Sequence, residues 1–359
     1  MTIIDTIIVG GGQAGLASAY ALRNAGLSHV VLHDGARPTG SWAGHYDSLT
    51  LFSPARHSAL PGLPFPADPD HYPHRDEVVA YLDAYARHHD LPVRTSVRVE
   101  SVTRDASAFV VHTATGEQLL ARSVIAATGP FRDPYVPTLP GAQSFGGHIL
   151  HASSYRRPTD YLGQRVIVVG AANTAVQVAW ELSRITETLL VTRAPVRFAP
   201  QRVLGRDLHD WLTLSGLDRS RWLRDQSTPV LDTGRYRTAL RDGSLPRAPM
   251  FDRFVADGVA WSDGRVHRAE TVIFATGYRP LLPWLSPLGA AGPPADDVHD
   301  GISRSVPGLA YVGFSGQRSF SSATLRGVGR DAEHVARHLS RRLNRTARHI
   351  APTPHPGDS

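Results

Sequence analysis

The order of apolar and polar positions along the chain predicts strands that alternate with amphipathic helices. An apolar run at 7–9 stops at a cluster of glycines, and residues 16–22 then repeat apolar side chains at helical spacing. The same order returns at 165–182, where the run RVIVV precedes another small-residue turn and another amphipathic stretch. Short apolar runs that alternate with helices are typical of parallel sheets covered by helices. We therefore predict an α/β protein with two such sheets.

The turn after the first strand has the composition of a phosphate-binding loop. Gly10, Gly12 and Gly15 have the GxGxxG spacing. These glycines allow a tight turn, a close approach to a pyrophosphate, and packing of the helix on the strand. Gln13 and Ala14 complete the turn, and the following helix would point its free N–H groups at the phosphates. This context favours a Rossmann-like dinucleotide-binding unit over an ordinary strand-to-helix turn.

The turn that ends the run RVIVV is a weaker copy of the first. Gly170 keeps the first glycine, whereas Ala172 and Ala175 replace the second and third. Alanine is allowed at the third position, but at the second it narrows the approach to a phosphate. Asn173 and Thr174 stand at the start of the helix, where they either cap it or contact phosphate. We predict a second Rossmann-like dinucleotide-binding unit here.

The strand that follows each turn ends at a residue suited to a ribose. In the first unit an acidic side chain is expected about 20 residues beyond the glycines. The chain has His33 followed by Asp34, so either residue occupies this position. In the second unit Arg193 stands where a 2′-phosphate is held, and its planar guanidinium suits that group. Arg193 favours NADPH over NADH, unless it is only a surface arginine.

Two further predicted strands end in the same three residues, Ala-Thr-Gly. Thr128 and Gly129 end one strand, Thr276 and Gly277 end the other, and each strand follows a hairpin-like segment. The repetition indicates an internal duplication of the dinucleotide-binding plan. We assign these four residues to the cofactor sites.

Two stretches lack a clean period and are expected to line a pocket. Residues 46–56 are rich in aromatic and hydroxyl side chains, and residues 197–250 combine arginine, leucine, aspartate and tryptophan. Long irregular loops are more often functional than mere connections. Trp211, Trp222 and many arginines in these stretches are compatible with an apolar or an anionic substrate.

Composition and charge exclude several classes of function. All 38 basic residues are arginines scattered along the chain, so the formal charge of +6 does not predict a nucleic-acid partner. The chain has no cysteine, which excludes a redox-active cysteine pair and a cysteine-bound metal. The 18 histidines lack metal-ligand spacing, so no metal is expected. No apolar run reaches the ~20 residues that span a bilayer, and the immediate first strand leaves no room for a signal peptide. We expect no membrane partner and a cytoplasmic location.

The segment between the two dinucleotide units carries a family signature. Phe145, Gly147, His151 and Tyr155 have the spacing FxGxxxHxxxY. It resembles the FxGxxxHxxx(F/Y/W) signature of the flavin-containing and Baeyer–Villiger monooxygenases. With GGGQAG, both Ala-Thr-Gly segments and the second turn, the resemblance covers nearly the whole chain. The short length and the run YDSLTLFSPARHSALPG are similar to compact bacterial flavin monooxygenases found with arsenic-resistance genes, and to the plant auxin-forming flavin monooxygenases.

The resemblance implies an FAD domain with an inserted NADPH domain. The FAD domain would comprise residues 1–156 and 276–345, the NADPH domain residues 157–275, and residues 346–359 a disordered tail. The implied enzyme uses NADPH to reduce FAD, and O₂ then forms a C4a-(hydro)peroxyflavin. This species oxygenates a small molecule at a sulfur, nitrogen, arsenic or ketone centre. The alternatives are an FAD-dependent NADPH oxidase or reductase without oxygen insertion, and a non-enzymatic nucleotide-binding module. A homodimer is left open.

The resemblance also assigns cofactor contacts by position. For FAD it implies Gly10, Gly12, Gly15 and Asp34 at the ADP half, Ser41 and Trp42 beside the ribityl or ring region, the backbone near Val99 at adenine, and the N–H groups of Ser322, Ala323 and Thr324 at the pyrimidine edge of the flavin. For NADPH it implies Gly170, Asn173, Thr174 and Arg193. His151 and Tyr155 would shape closure at the domain junction rather than take part in the chemistry.

One departure from the family concerns the catalytic residues. The amine and sulfur oxygenases of the group place an asparagine in the loop aligned with Phe52 and Ser53, and this chain has none there. Either Ser53 substitutes for the asparagine, or the enzyme releases hydrogen peroxide. Arg56 is our candidate for the arginine of the Baeyer–Villiger enzymes.

Overall fold

Two parallel sheets with flanking helices form the framework of the chain. The computed structural model describes residues 3–350 except 106–107, 222–228 and 293–296, with side chains up to residue 345. Trp222 and residues 351–359 of the expected tail therefore lie outside the described residues. The helices are α1 (Gln13–Asn24), α2 (Arg75–His88), α3 (Asn173–Ser183), α4 (Leu208–Leu214), α5 (Arg235–Asp242) and α6 (Leu325–Ile350).

The first sheet contains the first glycine turn and both ends of the chain. Its strands are β1 (Ile4–Val9), β2 (His29–Leu32), β3 (Val93–Arg94), β4 (Val99–Arg104), β5 (Phe109–Thr113), β6 (Gln118–Ala126), β21 (Val298–His299), β22 (Ile302–Ser303) and β23 (Leu309–Tyr311). They follow the order β21-β22-β23-β6-β1-β2-β3, and β4 and β5 extend from β6. The pairs β1–β2, β1–β6, β2–β3 and β23–β6 are parallel, so their carboxyl ends share one edge.

The long strand β6 corrects one detail of the sequence reading. Separate strands at 117–120 and 123–127 are expected from the sequence, but the structure has one continuous strand. Phe109 of β5 and Ile4 of β1 both stand opposite Ala121 in the middle of β6. The first half of β6 pairs antiparallel with β5 and the second half parallel with β1. One strand therefore serves both the hairpin and the parallel sheet.

The second sheet contains the second glycine turn and is parallel throughout. Its strands are β8 (His148–His151), β9 (Arg165–Val169), β10 (Glu187–Thr192), β15 (Arg247–Pro249) and β19 (Thr271–Phe274), in the order β15-β10-β9-β19-β8. Strand β8 forms one edge of this sheet and precedes residue 157, the expected start of the second domain. The second sheet therefore includes residues from before that boundary.

The chain passes between the two sheets at a short two-stranded link. The link consists of β7 (Asp133–Pro134) and β20 (Tyr278–Arg279), which pair antiparallel. Each follows one of the Ala-Thr-Gly segments, so both connections leave from the carboxyl ends of sheet strands. This places the two carboxyl edges next to the same junction.

The segments on either side of β15, between β10 and β19, are built from short elements. We call residues 201–221 the arm; it contains α4 and crosses toward the first sheet. The short strands are β11 (Phe198–Pro200), β12 (Arg202–Val203), β13 (Arg206–Asp207), β14 (Val230–Asp232), β16 (Arg253–Val255), β17 (Gly258–Ala260) and β18 (Val266–Arg268). The hairpin β17–β18 was expected from Asp263 and Gly264, and it is present.

Helix packing fills the space on one face of the first sheet. Leu16 and Leu22 of α1 and Val328 and Leu339 of α6 are buried in one core with Ile8 of β1. Helix α6 continues to Ile350, which extends it into the segment expected to be a tail. None of the helices in the described part of the chain combines the length and apolarity needed to cross a membrane.

We predict that Gly15→Ala destabilises the fold severely, whereas Gly44→Ala does not. A Cβ atom at Gly15 would lie 1.8 Å from the carbonyl oxygen of Gly10, so the turn itself must move. We expect a loss of about 3 kcal/mol in the free energy of unfolding. At the exposed Gly44 a Cβ meets nothing within 4 Å, and the change should be within about 0.5 kcal/mol. Urea unfolding of both variants measures this difference, and equal stabilities would contradict the packing argument.

Candidate active site

The first glycine turn leaves the start of α1 open to an anion. Gly10 has φ +114°, and a Cβ there would lie 2.4 Å from the carbonyl oxygen of Ala127. Helix α1 begins without a side-chain cap and without an acidic residue in its first turn. A diphosphate would supply the acceptors that a cap normally provides. The residues present therefore fit the ADP half of a dinucleotide such as FAD.

Three predicted flavin residues from distant parts of the chain meet beside this turn. The Gln13 side chain donates from Nε2 to the carbonyl oxygen of Ala323 at 2.7 Å and accepts from Trp42 Nε1 at 3.2 Å. Ser322 Oγ accepts from the backbone N–H of Ser319 at 3.0 Å and so holds the loop before α6. This arrangement brings together α1, the loop at 41–42 and the loop at 319–324.

The other predicted contacts of the first site lie around its rim. Thr128 Oγ1 is buried and has no hydrogen-bond partner among the described residues, which fits a polar ligand group beside it. A Cβ at Gly129 would meet nothing within 4 Å. Ser41 is exposed, Thr324 is partly buried next to Ala323, and Val99 is half-buried at the start of β4.

His33 and Asp34 take different positions at the end of β2. The buried His33 lies under the glycine turn, and its Nδ1 accepts from the backbone N–H of Gly11 at 3.3 Å. Burial lowers the pKa of His33, which keeps the ring neutral and able to accept. Asp34 lies further out and accepts from Arg132 at 2.8 Å. His33 thus supports the turn, and Asp34 is the anionic group available at its rim.

The second glycine turn has the same open helix start. Gly170 has φ +147°, and a Cβ there would lie 2.6 Å from the carbonyl oxygen of Ala275. Helix α3 begins after Ala172 without a side-chain cap and without an acidic residue in its first turn. The Asn173 side chain bonds the backbone of the strand segment at 229–231, at 3.4 and 3.3 Å, and Thr174 is exposed. Asn173 is therefore engaged by the strand segment, whereas Thr174 is exposed at the uncapped start of the helix.

Two arginines lie near the end of β10, Arg193 directly after it and Arg247 at the start of the neighbouring strand β15. Arg193 follows β10 directly, is exposed, and has no ion pair with any residue that the structure describes. Arg247 of β15 donates to Thr192 Oγ1 at 2.8 Å. Its guanidinium therefore lies next to the last residue of β10, the strand that Arg193 follows. The sequence does not reveal Arg247, because nothing local to residue 247 indicates that β15 pairs with β10.

His151 and Tyr155 stabilise the junction between the two domains through side-chain hydrogen bonds. His151 donates from Nε2 to the carbonyl oxygen of Gly277 at 3.0 Å and accepts at Nδ1 from the N–H of Ser153 at 3.0 Å. Burial lowers the pKa of His151. The buried Tyr155 donates to Glu181 at 2.9 Å.

Thr276 completes this junction. Its hydroxyl donates to the carbonyl oxygen of Tyr135 across the link, and the N–H of Tyr135 donates to Gly277 at 2.9 Å. Thr276 and Gly277 therefore hold the two connections together.

The two predicted catalytic residues have separate partners. Ser53 is buried, and its Oγ lies 2.9 Å from Oγ of Ser58 inside the first domain. Arg56 forms a two-pronged ion pair with Asp210 of the arm, at 2.9 and 2.8 Å, and a further ion pair with Asp70. Ser53 and Arg56 thus remain candidates, but no bond joins them.

The arm brings a buried polar cluster against the loop at 52–53. Asp207 accepts from Tyr72 Oη, from Gln201 Nε2 at 2.7 Å and from His209 Nδ1 at 2.7 Å. Gln201 Nε2 also donates to the carbonyl oxygen of Phe52 at 2.9 Å. The His209 ring stacks on Phe52 with 6.1 Å between ring centroids. The second domain therefore supplies polar groups at the loop where this chain lacks the family asparagine.

The charges of this cluster are fixed by its hydrogen bonds. Burial opposes ionisation of Asp207, but hydrogen bonds from His209, Tyr72 and Gln201 outweigh burial and lower its pKa. Burial also lowers the pKa of His209, with a further contribution from the charge of Arg326. The cluster thus holds a carboxylate beside a neutral imidazole whose Nδ1 carries the proton. A cleft of about 570 Å³ opens beside it between Arg56, Arg206 and Asp210.

The arm residues are the part of the site that the sequence does not reveal. They fall within the stretch at 197–250 that lacks a period. The only local signal in the sequence is Asp207, two residues before His209, because an aspartate just before a helix commonly caps its first turn. The structure has this cap, with Asp207 accepting from the N–H of His209 at 2.8 Å. Within the described ranges, no three acidic or histidine side chains group in a way that would bind a metal ion.

We predict that Asp210→Asn weakens the attachment of the arm in a pH-dependent way. The ion pair with Arg56 would be lost, and the hydrogen bond from His57 at 2.7 Å would have a neutral acceptor in place of a charged one. We expect a loss of about 1–2 kcal/mol in the free energy of unfolding near neutral pH. Arg56 lowers the pKa of Asp210 to about 2, below the unfolded value of about 3.9. The contribution is therefore complete above about pH 5, and is lost as the pH falls from about 4 through 2.

Urea unfolding at several pH values measures the difference between wild type and Asp210→Asn. Asp70→Asn is the matched control, because it removes the exposed partner of the same arginine and should cost about 0.5 kcal/mol or less. A difference that grows as the pH falls below about 4 would contradict the assignment.

Comparisons with known proteins agree with this architecture. Residues 7–205 match the family model described as pyridine nucleotide-disulphide oxidoreductase. A flavin-containing monooxygenase from Stenotrophomonas maltophilia is similar in structure, with a TM-score of 0.84, 34% identity, and coverage of 96% of this chain and 100% of that one. The resemblance and the two-domain α/β fold that the sequence predicts are confirmed.

Two relatives by sequence extend the comparison. An uncharacterized CzcO-like oxidoreductase from Geobacillus kaustophilus is 30% identical over 93% of this chain and 97% of its own length. The indole-3-pyruvate monooxygenase YUCCA1 from Oryza sativa subsp. japonica is 32% identical over 93% of this chain and 90% of its own length. The chain therefore belongs to the pyridine nucleotide-disulphide oxidoreductase family and, within it, to the flavin monooxygenases.

Proposed function

We propose that the protein is an NADPH-dependent FAD monooxygenase that oxygenates a small molecule at a sulfur, nitrogen, arsenic or ketone centre. The observation that carries the proposal is the pair of open helix starts, α1 and α3, at the carboxyl edges of two sheets that meet at one link. Each can hold one diphosphate. Two dinucleotides are what a flavin and a nicotinamide coenzyme require.

The residues around each turn support the assignment of the two cofactors. Gln13, Trp42 and Ala323 are linked beside the first turn, as expected for FAD. Arg193 is exposed beside the second turn, as expected for the 2′-phosphate of NADPH. When bound, the flavin supplies hydride acceptance and the activation of O₂, while the protein supplies orientation and exclusion of water.

The polar groups of the arm bear on whether oxygen is transferred to a substrate. Gln201 and His209 lie against Phe52 in the loop where related enzymes have an asparagine. We assign to them the role of positioning this loop, through the hydrogen bond from Gln201 to the Phe52 carbonyl and the stacking of His209 on the Phe52 ring. The competing function is an NADPH oxidase that releases hydrogen peroxide. A reductase acting through cysteines is excluded, since the chain contains no cysteine.

Anaerobic addition of NADPH to the purified protein tests the proposal. The protein should carry an oxidised flavin spectrum that NADPH bleaches. On admission of air, oxygen uptake should exceed peroxide release when a thioether or ketone substrate is present. A protein without flavin, or a flavin that NADPH leaves oxidised, would contradict the proposal. Peroxide equal to oxygen uptake with every substrate would favour the oxidase.

We predict that Arg193→Gln raises the KM for NADPH about tenfold or more and changes the KM for NADH little. The reason is that the guanidinium would bind only the 2′-phosphate, which NADH lacks. Steady-state reduction kinetics with both coenzymes measure the effect. Arg184→Gln is the matched control, because Arg184 follows the other end of α3 and lies over Trp180. Equal losses with NADPH and NADH would contradict the assignment of Arg193.

A further inference from the structure

One face of the first turns of α6 is turned toward the arm. Arg330 on this face donates to Ser321 Oγ at 2.8 Å and lies 3.3 Å from a carboxylate oxygen of Asp218 in the arm. Arg326 precedes Arg330 by four residues, and such positions share a helix face. Arg326 therefore extends into the space between α6 and the arm.

Arg326 has no partner within the part of the chain that the structure describes. It makes no hydrogen bond or ion pair there, and its Nε is buried without an acceptor. Burial lowers its pKa to about 10, although the charges of Asp218 and Asp207 act in the opposite direction. A partly buried guanidinium without a partner is costly, so this side chain is suited to an anion that the protein itself does not supply.

The nearby carboxylates already have partners, although one oxygen each of Asp218 and Asp331 is buried without a hydrogen bond from the described residues. Asp218 pairs with Arg330, and Asp331 pairs with Arg318 at 3.2 Å. Asp207 accepts from the three side chains described above. Of Arg318, Arg326 and Arg330, Arg326 is thus the one that forms no ion pair with a described carboxylate.

The location of Arg326 places that ligand on the substrate side of the proposed flavin site. Arg326 follows Ser322, Ala323 and Thr324 by two to four positions, and these residues are our candidates for the flavin edge. On its other side its charge acts on His209, which stacks on Phe52. Arg326 therefore lies between the loop before α6 and the polar cluster of the arm.

We propose that Arg326 is the specificity-determining residue of the site and binds the carboxylate of an anionic small-molecule substrate. This inference rests on the proposed monooxygenase function and names its substrate class. A guanidinium presents parallel N–H donors that match both oxygens of a carboxylate, whereas an ammonium offers only a compact charge. Substrates with a carboxylate should therefore bind better than neutral molecules of the same shape.

The test uses the FAD-loaded enzyme and a matched pair of thioethers, 4-(methylthio)benzoate and methyl phenyl sulfide. Dissociation constants are measured for wild type, Arg326→Met and Arg326→Lys by calorimetry, without turnover. Wild type should prefer the carboxylate, and Arg326→Met should weaken its binding about tenfold or more while that of the neutral thioether stays within about twofold. Arg326→Lys should restore part of the preference. Arg337→Gln, an exposed change on the same helix, should have no effect.

Several outcomes would overturn the inference. Wild type without a preference for the carboxylate, or Arg326→Met with equal losses for both thioethers, would show that Arg326 does not select an anion. The flavin itself becomes negatively charged on reduction and is the competing partner. A lowered flavin reduction potential in Arg326→Met, with the carboxylate preference unchanged, would assign Arg326 to the flavin. Failure of NADPH to reduce the wild-type flavin would instead contradict the proposed function. The two failures are distinguishable, because the binding measurements do not depend on turnover.

Discussion

The structure depends on two helices that begin without a cap. Ordinarily a serine, threonine, aspartate or asparagine accepts the first N–H groups of a helix. At α1 and α3 the preceding residues are Gly12 and Ala172, and neither start has a side-chain cap. N–H donors left without an acceptor cost stability unless an anion binds them. We therefore attribute both uncapped helix starts to ligand binding. The positive φ of Gly10 and Gly170 follows from the same requirement, because each turn must pass close to the neighbouring strand.

The arm brings polar groups of the second domain against the loop at 52–53 of the first domain. It belongs to the second domain by sequence, yet its contacts are with the first domain, through Phe52, Tyr72 and Ser321. These contacts are hydrogen bonds and ion pairs rather than a continuous apolar core. Such an interface constrains orientation and excludes water, and its strength depends on the ionisation of Asp207 and Asp210.

Much of the framework could be predicted from the sequence because its signals are local. The run at 7–9 followed by Gly10, and the run RVIVV followed by Gly170, each contain a strand, a turn and a helix within a few residues. The family resemblance assigns Trp42 and Ala323 to the flavin site, and in the structure both are hydrogen-bonded to the Gln13 side chain.

The arm could not be predicted because its order comes from distant partners. Its strands β12 and β13 contain two residues each, too few for a periodic pattern. Gln201 meets Phe52 across 149 positions of sequence, and Asp207 meets Tyr72 across 135. Arg326 lies in a regular helix, so the sequence marks it only as one more arginine. Its lack of a partner becomes evident only when the arm is seen in place over α6.

The most direct measurement for the two-site account is the cofactor stoichiometry of the purified chain. FAD is released and quantified, and the FAD-loaded protein is titrated calorimetrically with NADP⁺. The account predicts one FAD and one NADP⁺ per chain, with FAD retained throughout the titration. NADP⁺ that displaces FAD, or fails to bind the FAD-loaded chain, would contradict two separate nucleotide sites.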